Sequence, residues 1–262
     1  MKINIINRKG IFLILIISII CFVQVIWWIY ILNLQENNMD QEAYSKIKVT
    51  SNYIYNIQKK EKQEMVLSKN MIKLNELQKV NSDIVALIKI EGTNINYPVL
   101  QGEDNSYYMT NNYKKQKSKD GAIFLDKDYD WELPSTNLLI YGHNNIGSSD
   151  MFSELMKYKK ESFYKKHKKI NFITNDEEAE YEIISVFLSR VYYKHEKNVF
   201  RYYYFINANN KQDFDNYINN CKKVSLYKID MTAIYGDKLM TLSTCEYSKL
   251  NGRLVVVAKK LE

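Results

Sequence analysis

Thr241-Leu242-Ser243-Thr244-Cys245 and, beyond an Asn251-Gly252 turn, Arg253-Leu254-Val255-Val256-Val257-Ala258 read as two short strands folded into a hairpin. The first strand carries a thiol to its end, and the second opens on a guanidinium. Folding back brings that cation close to the thiol, where it can stabilise a thiolate or an oxyanion. What this pair still needs is a proton carrier, and the chain offers few.

The same grammar of short strands extends back to Asp83. Ile84 to Ile90, Asn94 to Leu100, Gly121 to Leu125, Asn137 to Tyr141, Ile170 to Ile173 and Tyr181 to Val191 are candidate strands between Gly, Asn, Asp or Pro signals. Asp237 to Cys245 and Arg253 to Lys259 complete the set. Ser149 to Tyr158, capped by Ser148 or Ser149, and Lys211 to Lys222 read as helices inserted in the connections. Many short strands with such insertions point to a mainly β fold, a closed or nearly closed barrel with decorations.

The histidines number three. His167, in Lys165-Lys166-His167-Lys168-Lys169, belongs to a basic segment facing solvent, and His195 sits in the polar connection Tyr193-Lys194-His195-Glu196-Lys197. His143 differs, because Leu138-Leu139-Ile140-Tyr141 is an apolar run that ends in Gly142-His143-Asn144. A side chain at the end of a buried strand is held rigidly yet can face a cleft. His143 is the candidate proton carrier.

Before Asp83 the pattern is helical. Between Met39 and Lys79, Tyr44, Ile47, Tyr53, Ile54 and Ile57 form one apolar set and Met65, Leu67, Met71, Leu74 and Leu77 another, two helices expected to pack against the main domain. Further back, Ile11 to Leu32 carries no charge over a stretch of about 33 Å of helix, enough to span a bilayer core. Lys2, Arg8 and Lys9 precede it, which keeps the amino end in the cytoplasm, and Trp27, Trp28 and Tyr30 suit the far headgroup zone. A cleaved signal peptide is the competing reading, but Trp27-Trp28-Ile29-Tyr30 offers no small-residue cleavage site. The resulting division is a tail over 1–10, an anchor over 11–32, a helical lead-in over 33–80 and a barrel over 81–262.

Bulk properties agree with one sizeable domain plus an appendage: 262 residues, 46% hydrophobic, with 8 Gly and 2 Pro too few for a long flexible linker. The formal charge of +7 would attract anionic polymer or lipid, and no nucleic-acid motif accompanies it. The basic run from Lys157 to Lys169 reads as a solvated helix face or a contact with such an anion. Cys21, Cys221 and Cys245 are odd in number and match no disulfide or metal framework. Asp126, Asp128 and Asp130 alternate like a calcium loop, but Trp131 stands where glycine is required and Asn137 where glutamate is, so no metal is expected.

Tyr141-Gly142-His143-Asn144, Thr241 to Cys245 and Arg253 together resemble the sortases, membrane-anchored cysteine transpeptidases of Gram-positive bacterial surfaces. Class B is the subgroup resembled, through Asn96-Tyr97-Pro98-Val99-Leu100-Gln101, Tyr107-Tyr108, Gly121-Ala122-Ile123-Phe124-Leu125-Asp126 and the helix near Lys211 to Lys222. The likeness runs from about Asn81 to Leu261. It departs at Ala86-Leu87, where such sequences commonly carry Gly-Trp, which touches packing and not the chemistry.

The resemblance implies an eight-stranded sortase barrel with Cys245 as nucleophile, His143 as general acid and base, and Arg253 as oxyanion or substrate-backbone partner. It implies cleavage of a carboxyl-terminal sorting signal of the Asn-Pro-x-Thr-x type in secreted proteins and transfer of the acyl group to a cell-wall amine, without a cofactor. Some relatives instead join pilin subunits through a lysine. Ser243, on the same strand face as Cys245, is either a partner of Arg253 or substrate or a small residue filling the barrel; Thr244 faces the other way and packs. Cys221 is expected to be buried on its helix. A plain cysteine protease and a non-catalytic wall-binding module, with Cys245 merely buried, are the remaining alternatives.

Overall fold

The computed structural model describes residues 24–32, 48–49, 51, 53–60, 62, 65 and 69–261. The chain divides into two compact units, Met1–Met65 and Val66–Glu262. In the first, residues 24–32 and 53–60 are helical, and Tyr53, Ile54 and Ile57 are exposed. Tyr44 and Ile47 of the first apolar set and Leu67 of the second lie outside the described residues. Among the described residues no helix is long and apolar enough to cross a membrane; positions 11–23, Cys21 included, lie outside them.

The second unit is a closed barrel of eight strands: β1 (Ile84–Lys89), β2 (Asn96–Leu100), β3 (Ile123–Leu125), β4 (Asn137–Tyr141), β5 (Lys169–Ile173), β6 (Glu178–Arg190), β7 (Leu239–Cys245) and β8 (Gly252–Lys260). Around the barrel they run β1-β2-β3-β4-β7-β8-β6-β5, closing through the antiparallel β1–β5 pair. Closure removes every free edge, which is how short antiparallel strands avoid pairing with other chains. Two neighbours, β2–β3 and β4–β7, are parallel. All eight expected strands are present, with ends shifted by a few residues.

Alternation along the central strands decides what sits where. Leu138, Ile140, Met240, Leu242, Leu254, Val256 and Ala258 point into the barrel and fill it with fully or nearly fully buried side chains. Their neighbours Leu139, Leu239, Val255 and Val257 point outward, yet are equally buried, because a helix covers them. That helix, α2 (Lys211–Val224), presents Phe214, Tyr217, Ile218 and Cys221, the i, i+3, i+4, i+7 face of an amphipathic helix. Asn210 caps it, its side chain accepting from the Asp213 amide at 2.9 Å. A strand buried on both faces reads as an unbroken apolar run, which is why Asn137–Tyr141 was expected at its observed bounds.

A third cluster lies on the outside of β1, β2 and β3. Leu74, from the helical residues 69–80, is fully buried there against Ile84, Leu87, Leu100 and Tyr108, with Leu77 beside it. Burying one leucine side chain stabilises by about 2 kcal/mol, enough to dock this last helical stretch on the barrel.

Two insertions differ from expectation. The segment expected as a helix over Ser149 to Tyr158 is a 3-10 helix over Ser153–Lys159 that starts after Phe152, with no side-chain cap. Ser149 instead accepts from the Asn94 amide at 2.8 Å, and Ser148 bonds Asp150, so neither serine is available to cap. The basic run is not one helix face either. It spans the end of that 3-10 helix, α1 (Glu161–Lys166) and the start of β5, and Lys157, Lys159, Lys165 and Lys169 are paired with Glu154, Glu246, Glu161 and Glu180.

Candidate functional site

Strand register assembles the site. β4 and β7 are parallel and in register, Leu139 opposite Thr241 and Tyr141 opposite Ser243. Each chain continues two residues past that last pair, to His143 and to Cys245, which reach the same cleft. On the other side, β7 and β8 are antiparallel with Cys245 directly opposite Arg253. Residues directly opposite in a sheet share a face, so thiol and guanidinium project to the same side, the outer face that α2 leaves uncovered at this end. His143, Cys245 and Arg253 line one cleft of about 230 Å3, together with Asn105, Met109, Tyr141, Val191, Tyr203 and Ser243.

Several bonds lock the strand ends. The Asn144 amide donates to the Cys245 carbonyl at 2.9 Å, and the Thr244 hydroxyl donates to the Gly142 carbonyl at 2.8 Å. The Tyr247 hydroxyl donates to the Asn144 carbonyl at 2.6 Å. Thr244 is thus buried on the inner face, as its parity required. Gly142 admits no side chain, because an added Cβ would run into Ile123 and Phe152, so the chain passes close to the core just before His143. Beyond Cys245, the buried Glu246 carboxylate accepts from Lys159 at 2.5 Å and from the Ser248 hydroxyl at 2.5 Å. Burial alone would push its carboxyl up, but these bonds and the Lys159 charge outweigh that and hold it below the usual range. Asn251, at φ 57°, makes the left-handed turn that starts β8.

Each expected site residue has a definite environment. Cys245 and Arg253 are half-buried, and the Arg253 Nη1 donates to the Gly252 carbonyl at 2.8 Å. Among the described residues no carboxylate pairs with Arg253, so its charge is not neutralised within the cleft. His143 is half-buried, its Nε2 2.7 Å from the Met109 carbonyl. Ser243 points outward and does not fill the barrel; its hydroxyl bonds the Tyr202 hydroxyl at 2.8 Å, and not Arg253. Burial pushes the Tyr202 phenol up to about 12, so it stays protonated and able to share that bond. Cys221 is buried on α2, and burial raises its thiol far above the reactive range. His195 is exposed and stacked on Tyr193. His167 departs from expectation: it is half-buried, packs on Phe163 and bonds the Glu91 carbonyl at 2.8 Å.

Sequence reasoning missed the supporting groups. Asp126 is a buried carboxylate that accepts from the Tyr141 hydroxyl at 2.9 Å, the Asn105 amide at 2.9 Å and the Asp128 amide at 3.0 Å. Burial and then the Asp126 charge push the Tyr141 phenol far up, so it remains a donor. On the opposite wall, the Tyr203 hydroxyl accepts from the Tyr192 amide at 3.0 Å, while Phe205 stacks on Tyr217 of α2. The only available signal was the aromatic density of residues 200–205, and it carries no spacing that names a partner.

A thiol flanked by an imidazole and an unpaired guanidinium in an open cleft can carry out acyl transfer through a covalent intermediate. Comparison with known proteins agrees. A family model described as the sortase domain matches residues 88–261. Sortase B of Staphylococcus aureus is 34% identical over 205 residues, 76% of this chain and 80% of that protein. Sortase B of Listeria monocytogenes is 34% identical over 188 residues, 71% of this chain and 73% of that protein. The solved Staphylococcus aureus sortase B–substrate complex superposes with a TM-score of 0.65 at 33% identity, covering 76% of this chain and 91% of the other.

Proposed function

The chain belongs to the sortase family, class B, and from that premise we propose that it cleaves an Asn-Pro-x-Thr-x sorting signal and passes the acyl group to a cell-wall amine. As a sortase it is a cysteine transpeptidase. The observation that carries the assignment of residues is the one cleft that His143, Cys245 and Arg253 line, with Cys245 opposite Arg253 in the β7–β8 register.

In this reading the Cys245 thiolate attacks the carbonyl carbon of the signal's threonine. The tetrahedral oxyanion faces the Arg253 guanidinium, which has no competing carboxylate among the described residues. Collapse breaks the C–N bond while His143 gives its proton to the departing amine, leaving a thioester on Sγ. An incoming amine attacks that thioester, His143 takes up its proton, and the thiolate leaves with the new amide formed. Ser243, tied to Tyr202, shapes the floor of the cleft.

The uncharged stretch Ile11 to Leu32, helical over its described part 24–32, serves as a single-pass anchor with the barrel outside the cell membrane. Residues 1–10 are then the cytoplasmic tail, 33–80 the lead-in and 81–262 the catalytic domain.

The test is incubation of the full-length protein with an Asn-Pro-x-Thr-x peptide and a graded concentration of an amine acceptor, read by mass spectrometry. Cleavage between threonine and the following residue, with amide product rising at the expense of free acid, supports the reading. Hydrolysis indifferent to amine makes the protein a plain protease, and no cleavage removes the signal assignment. Arg253→Ala is expected to lose on the order of 3 kcal/mol of transition-state stabilisation, about a 100-fold fall in kcat/KM. A change below threefold in steady-state kinetics would take Arg253 out of the chemistry.

A further inference from the structure

The His143 imidazole has two nitrogens, and one of them is already committed. Its Nε2 lies 2.7 Å from the backbone carbonyl of Met109, 34 residues earlier in the chain. A carbonyl oxygen only accepts, so the ring nitrogen must donate, and the proton belongs on Nε2. We infer that the Met109 carbonyl is the positioning group of this site: it fixes the His143 ring and leaves Nδ1 as the nitrogen that exchanges protons with substrate. The inference rests on His143 being the proton carrier, and adds what holds it.

The carbonyl is well placed for this, because its own backbone is anchored at several points. Met109 ends a 3-10 helix, Tyr107–Met109, and at its start the Asp104 carboxylate accepts from the Ser106 amide at 2.6 Å and the Tyr107 amide at 2.8 Å. The adjacent Tyr108 is fully buried; its hydroxyl donates to Asp83 at 2.5 Å and accepts from Asn81 at 2.9 Å. The Tyr108 carbonyl accepts from the Ala122 amide at 2.9 Å, joining the helix to the start of β3. Asp83 and Asn81 lie at the entrance to β1, so the carbonyl is referenced to the barrel itself. A carboxylate is the more familiar partner for a catalytic imidazole, and no carboxylate bonds the ring among the described residues.

Gly121 is the residue at which ring and carbonyl meet. It has φ +55°, and a Cβ there would lie 2.5 Å from the Tyr108 oxygen, 2.8 Å from the Met109 oxygen and 3.0 Å from the His143 Cδ2. A single methyl would therefore push apart the two partners of the proposed bond. Gly147 provides the matching control, since it too is left-handed, at φ +80°, but a Cβ there meets nothing within 4 Å.

The experiment combines 15N-histidine NMR on the full-length protein with steady-state kinetics, the His143 signal being assigned by its loss in His143→Gln. The expected spectrum of the neutral ring shows the proton on Nε2, protected from exchange with water. Gly121→Ala should abolish that protection and lower kcat about 100-fold with KM changed less than twofold, as expected for a misplaced reacting group. Gly147→Ala should leave both readings as in the wild type. A proton on Nδ1, or an unprotected Nε2 proton in the wild type, overturns the inference even if Gly121→Ala fails to fold. Equal kcat in the two alanine variants overturns it as well. Retained turnover in His143→Gln would instead remove the underlying assignment of the proton carrier.

Discussion

Cys245→Ala is expected to abolish turnover of a sorting-signal peptide, with kcat falling on the order of 10⁵-fold or more. The size of the effect follows from what the thiol does: it splits one difficult acyl transfer into two easier ones, and no nearby group can replace it. Ser243, the closest hydroxyl on the same strand face, is bonded to the buried Tyr202 and lies one pair of residues back from the end of β7. Cys221, the other described thiol, is buried on α2 and raised out of the reactive range. Stability should barely change, by less than about 1 kcal/mol, because Cys245 is only half-buried and removing one sulfur leaves no unsatisfied group. The check is mass-spectrometric turnover beside a thermal melt. Activity within tenfold of wild type, in a variant that melts normally, would show that Cys245 is not the nucleophile.

His143→Ala should reduce kcat by about 10³-fold, within the range for loss of a positioned general acid–base. The amine leaving group of a peptide cannot depart without a proton, and the second step needs the incoming amine deprotonated. His167 and His195 cannot substitute. The first is bonded to Glu91 and the second sits on the exposed connection after β6; neither lines the cleft. This origin makes a sharper prediction. A thioester substrate, whose thiolate leaves without protonation, should acylate His143→Ala nearly as fast as wild type, while the amide substrate does not. Stopped-flow kinetics on both substrates measure this, and equal losses would assign His143 a structural task instead.

How much of this was legible in the residues depends on whether a contact is local. Cys245 and Arg253 were readable as partners because a hairpin joins them, and the observed pairing of those two positions follows from strand register and turn. β4 and β7 were readable because both faces are covered, leaving uninterrupted runs of apolar and small residues. Parity was also legible: Ser243 and Thr244 do lie on opposite faces. Which face is the barrel interior was not, because alternation distinguishes two sides without saying which one α2 will cover. Parity alone allows Ser243 to fill the barrel, and it lies outside against Tyr202.

The misread helix over Ser149 to Tyr158 has the same origin. A serine before an apolar run signals a cap when only local partners exist, but Asn94, 55 residues away, holds Ser149. His167 read as solvent-facing among lysines, and a distant carbonyl at Glu91 holds it. The cleft walls were the least legible part. Asn105, Met109, Val191 and Tyr203 come from connections with no periodicity, and only the closed barrel brings them together.

The most direct measurement of the central claim is the intact mass of the full-length protein mixed with an Asn-Pro-x-Thr-x peptide in the absence of amine, followed by proteolytic mapping. The account predicts a mass increase equal to the peptide's acyl half, located on Cys245, discharged by hydroxylamine and accumulating faster than it hydrolyses. Cleavage of the peptide with no adduct on Cys245, or with the acyl group on any other residue, would contradict it.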